Sequence, residues 1–78
     1  VNTNEIIKAE IDYALETYGH FNSSHEAYAV LIEEVEELWH EIKKKKSDVL
    51  RMKEELIQIS AVAIRFHDEL ENNEIKHV

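Results

Sequence analysis

The sequence predicts an all-α fold: a three-helix antiparallel chain that assembles into an oligomeric helical bundle. Three observations predict it. Proline is absent and Gly19 is the only glycine, so long stretches carry no helix breaker. Ala, Leu, Glu, Lys and Ile dominate, a mixture that favours helix. Apolar residues recur at spacings of three and four rather than alternating, which is the period of a helix face.

The first helix starts at Asn2 or Thr3, with Asn2 and Glu5 spaced as a capping box, and carries Ile6, Ile7, Ala9, Glu10, Tyr13, Ala14 and Tyr18 as far as Gly19. A break follows in "HFNSS", where Ser23 and Glu26 repeat the capping-box spacing and open the second helix. That helix runs to the block Lys43 to Lys46, whose positive charge suits a helix C-terminus. Ser47 or Asp48 then caps a third helix over about residues 48–71. Residues 1–78 form a single domain with no internal repeat or low-complexity linker.

On the second helix, Ala27, Leu31, Val35, Leu38 and Ile42 make one apolar stripe, flanked by Tyr28, Ile32 and Trp39. Glu33, Glu36 and His40 point away from it. Glu34, Glu37 and Glu41 gather within an arc of about 60° that borders the stripe. Carboxylates stacked in this way repel one another unless cations compensate them, and either a divalent ion or lysines from a neighbouring helix can do so. The third helix has one apolar face of Met52, Leu56, Ile59, Ala63, Phe66 and Leu70, and another of Ile57, Ala61 and Ile64. Two such faces, in a chain too short for a large core, point to packing against another copy as a homodimer or homotetramer. Glu55 borders the main face, with Gln58 beside it one turn on.

The chain has 17 acidic against 9 basic residues and a net charge of -8, which excludes a broad electrostatic partnership with duplex nucleic acid. Cysteine is absent, so disulfides, thiolate nucleophiles and sulfur-bound zinc are excluded, and the expected location is cytoplasmic. The five histidines show no metal-ligand spacing, and neither a Gly-rich phosphate loop nor a Ser-His-Asp set can be assembled. The apolar run "ISAVAI" is far shorter than a membrane span. The chain opens on Val1 rather than methionine, which fits a piece of something longer.

Glu34 and Glu37 on one helix, and Glu55 and Gln58 on the next, are oxygen-bearing pairs at i, i+3 that two antiparallel helices can converge on a hard cation. The order "EEVEEL", a lysine-containing connection and "KEELIQISAVAIR" resembles the MazG-like all-α nucleoside triphosphate pyrophosphohydrolases, particularly their short phage and bacterial members. The signature of that family is Glu-Glu-x-x-Glu on one helix and Glu-x-x-Asp on the next. The resemblance covers roughly residues 21–66, with "HEAYAVLIEEVEELWHEI" the nearest part.

It implies catalytic roles for Glu33, Glu34 and Glu37, and Mg²⁺, or Mn²⁺ in its place, held by Glu34, Glu37, Glu55 and Gln58. It further implies a nucleoside triphosphate substrate hydrolysed to the monophosphate and pyrophosphate. Gln58 stands where the family has Asp, which removes a charge and should weaken metal binding. The family domain also has a further helix after the third, for which "ENNEIKHV" leaves little room, so a C-terminally truncated or reduced member is expected. A noncatalytic oligomerisation or regulatory module on the same scaffold is the alternative.

Among substrate contacts, the resemblance places Phe21 and His25 near the nucleotide, although Phe21 can equally pack in the core and the serines nearby can simply cap a helix. Lys46, in the basic block, can meet phosphates or serve as a solvated helix end. Arg51 can clamp a phosphate or offset Glu55.

Overall fold

Each helix of the computed structural model, which describes residues 1–77, begins at a side-chain cap. α1 (Thr3–Tyr18) is capped by Asn2, whose side chain accepts from Glu5 N while Glu5 answers Asn2 N, completing the box. α2 (Ser24–Lys43) begins after Ser23, which accepts from Glu26 N. Only half of that second box forms, because the Glu26 carboxylate reaches one residue further back, to the backbone and side-chain amides of Asn22. α3 (Val49–Glu71) is capped by Asp48, which accepts from Leu50 N and Arg51 N. Ser47 instead donates to the carbonyls of Ile42 and Lys44 and closes the end of α2.

The helix ends are equally local in origin. Gly19 stops α1 at φ +74°, where an L side chain would be strained. α3 ends with Asn73 at φ 55°, Glu74 N bonding back to Glu69 O and Asn73 N to Leu70 O, a Schellman arrangement with asparagine in the left-handed position. The tail then returns to the start of α2, where Ser24 N donates to Lys76 O at 2.9 Å and Ser23 bridges Lys76.

α3 is the central helix, packed against both α1 and α2, while α1 and α2 do not pack against each other. Two adjacent sides of α3 therefore find partners within the chain. The core sits at one end, where Phe21, Ala27 and Val62 are buried and Val30, Leu31, Phe66 and Ile75 pack around them.

The side of α2 that turns inward is rotated by about 60° from the apolar stripe, toward the acidic arc. Its two buried residues are Ala27 and Glu41, while Val35, Ile42 and the flanking Trp39 remain exposed. On α3 the buried residues are Ala61, from the second apolar face, and Val62, Arg65 and Glu69, from the strip between the two faces, while Leu56, Ile64 and Leu70 stay exposed. The helices thus meet with a large polar share. Each apolar side chain left out forgoes up to about 1.5–3 kcal/mol of burial.

Candidate metal centre

The inward rotation of α2 brings its glutamates onto α3. Glu34, Glu37 and Glu55 each offer a carboxylate oxygen within 4.8 Å of the others. Oxygens bound side by side to one Mg²⁺ at ~2.1 Å stand about 3.0 Å apart, so the three carboxylates are near enough to close on one hard cation by side-chain adjustment. Glu55 Oε2 and Glu41 Oε1 are sealed from solvent with no hydrogen-bond partner among the described residues. An orphaned carboxylate oxygen is costly, and for Glu55 either a cation or a proton shared with Glu34 or Glu37 would satisfy it.

The electrostatics agree with that. Burial, then the neighbouring Glu37 and Glu55 carboxylates, push Glu34 from 4.5 up to about 7. Glu37 is raised too, by partial desolvation first and then by Glu55, while Arg51 and His40 pull it back. Without a cation the cluster is short of positive charge, and protons make up the difference.

Two cavities open on either side of these carboxylates. The larger, about 600 Å³, fills the gap between α1 and α2 above α3; Glu34 and Gln58 line one part of it, and Phe21, Asn22 and Arg65 another. The smaller, about 300 Å³, is lined by Glu37, His40, Glu41, Lys44, Arg51 and Glu55. Glu34 faces the first and Glu37 the second.

Of the residues singled out by sequence, Glu34, Glu37 and Glu55 converge, and Gln58 lies one turn from Glu55 beside Glu34 in the larger cavity. Glu33 is exposed and outside the cluster, though its charge adds to the shift of Glu34. Arg51 lines the smaller cavity and pairs with Glu54 at 3.5 Å. Phe21 is buried, with the Arg65 guanidinium 3.7 Å over its ring and Phe66 against it edge-on. His25 and Lys46 are exposed and line neither cavity.

Sequence reasoning overlooked Arg65, Glu69 and Lys44. Glu69 accepts from Phe21 N at 2.8 Å and Arg65 Nε at 3.1 Å, pinning the loop after α1 to α3, while His20 Nδ1 lies 3.4 Å from the same carboxylate. The signal was the i, i+4 pair of opposite charge on the side of α3 between its apolar faces. Lys44 binds Glu41 Oε2 at 2.8 Å, so the cation that compensates Glu41 comes from the end of its own helix rather than from a neighbouring one.

Fold and site together define an all-α helical protein in which three carboxylates from α2 and α3 converge closely enough that they could hold a metal ion. Comparisons with family models, with curated proteins and with solved structures find no match. No described helix is long and apolar enough to cross a membrane.

Proposed function

We propose that this chain is a Mg²⁺-dependent nucleotide pyrophosphohydrolase of the MazG-like kind, with Mn²⁺ able to replace Mg²⁺, hydrolysing (d)NTP to (d)NMP and pyrophosphate. The observation that carries the reading is the convergence of Glu34, Glu37 and Glu55 around an orphaned carboxylate oxygen. A bound Mg²⁺ would neutralise the triphosphate and make coordinated water more acidic. Glu34 and Glu55 would hold the inner side of such a centre, and Gln58, one turn beyond Glu55, could add an uncharged oxygen. Glu37 is the member most open to solvent and can take a proton from the attacking water. The water oxygen bonds to the α-phosphorus, the bond from that phosphorus to the bridging oxygen breaks, and pyrophosphate leaves with the pair of electrons.

The active form in this reading is a homodimer or homotetramer. Trp39 and Leu56, 55% and 50% exposed, belong to apolar surfaces that a second copy would cover. A noncatalytic helical module is the second reading, and Gln58 is the residue that favours it, because a neutral ligand weakens the metal site.

The test is pyrophosphate release from a panel of canonical and modified (d)NTPs with Mg²⁺, using wild type and Glu34→Gln. Release by wild type and none by the variant supports the enzyme. No release from any nucleotide, combined with no Mg²⁺-induced change in melting temperature, rejects it.

A further inference from the structure

The larger cavity has a second chemical feature, remote from the carboxylate cluster. The Arg65 side chain is only 9% exposed, yet it lines that cavity. Its Nε donates to Glu69 Oε2, and its plane is held over the Phe21 ring at 3.7 Å. Its two terminal nitrogens have no partner among the described residues and are not sealed from solvent. A buried guanidinium fixed on one edge and one face thus presents its remaining donors to the cavity as a rigid fork.

The charge of the cavity decides what meets this fork. Its lining includes the carboxylates of Glu10, Glu26 and Glu34, and the charge on Arg65 is already offset by Glu69. A free anion would enter against net negative charge, whereas a neutral group with paired acceptors would not. The remaining lining, including Ile11, Tyr13, Ala14 and Val62, suits the faces of a planar ring. Arg65 lies seven residues beyond Gln58 on the same strip of α3, about 10 Å along the axis. That separation is comparable to the reach from phosphate to base edge in a nucleotide.

The geometry points to Arg65 as a specificity residue that selects a 6-oxopurine base, guanine or hypoxanthine, over adenine. O6 and N7 of a 6-oxopurine are adjacent acceptors that match the guanidinium fork, whereas adenine turns its N6 amino donor toward it. The assignment rests on the nucleotide reading of the acidic end, but its chemistry is separate from hydrolysis. Phe21 and Glu69 act through Arg65, setting its plane and edge.

The experiment is an NMR titration of the full chain with guanosine, inosine and adenosine, with neither phosphate nor metal present. Guanosine and inosine are expected to bind at least about tenfold more tightly than adenosine. Arg65→Lys keeps the charge opposite Glu69 and loses the fork, so the ratio of guanosine to adenosine affinity should fall toward one. Should that variant fail to fold by circular dichroism, the wild-type ratio decides alone. Equal affinities in wild type, no nucleoside binding at all, or an unchanged ratio in a folded Arg65→Lys overturns the inference. Selective nucleoside binding with neither pyrophosphate release nor a Mg²⁺-induced change in melting temperature rejects the hydrolase and leaves the base selection standing; release without selectivity does the reverse.

Discussion

Glu34 ties the pH dependence of this protein to the proposed metal centre. Its folded-state pKa is raised to about 7 from 4.5, so the neutral form is the one that folding favours. The stability it contributes is complete below about 4.5 and is lost as pH rises through 7. In the absence of divalent cations, Glu34→Gln should therefore melt higher than wild type at pH 8, with the difference shrinking toward pH 5. Mg²⁺ should raise the wild-type melt at pH 8 and leave the variant nearly unmoved; thermal melts across this range would show whether the gap closes as expected. A second residue-scale expectation concerns Glu69, which is buried against Arg65 and holds Phe21 N. Glu69→Ala should cost about 3 kcal/mol in urea titration, because it leaves a buried guanidinium unpaired. The two residues differ in how legible they were. Glu34 stood out because glutamates at i, i+3 beside an apolar stripe carry a meaning of their own. Arg65 and Glu69 acquire theirs from Phe21, a residue more than forty positions away that no local pattern brings to them.

At the scale of elements, what depended on neighbours in the chain was readable and what depended on partners in space was not. Asn2, Ser23, Gly19 and Asp48 mark their helix boundaries through bonds spanning four residues or fewer. The rotation of α2 and α3 is different in kind. An apolar stripe predicts which side a helix would bury, but here α2 and α3 turn Glu41, Arg65 and Glu69 inward and leave Trp39 and Leu56 out. The same packing leaves α1 without a single buried residue. Its amides should exchange with deuterium well before those around Val62 in α3, since little apolar contact opposes local opening. Uniform protection across the three helices would contradict this. Gly19→Ala should weaken the chain by about 1 kcal/mol through its positive φ, with no clash, because nothing lies within 4 Å of the added carbon.

At the scale of the whole molecule, a chain that buries so few apolar side chains is expected to complete its core with a second copy. Light scattering should give a mass above that of one chain, and Leu56→Glu should reduce it by placing a charge on the shared surface; a wild-type monomer at high concentration would end that expectation. All three clustered carboxylates sit on one helical hairpin, α2 and α3 joined by residues 44–48, so the candidate centre needs only contacts between successive helices. The tail is the opposite case. Ser24 and His77 meet across 53 residues, and contacts of that separation carry the larger closure entropy. During folding the acidic hairpin can form first and the tail dock last. In the interval the chain would hold its carboxylates together while the cluster around Phe21 still lacked Ile75, so capture of a cation can precede completion of the core.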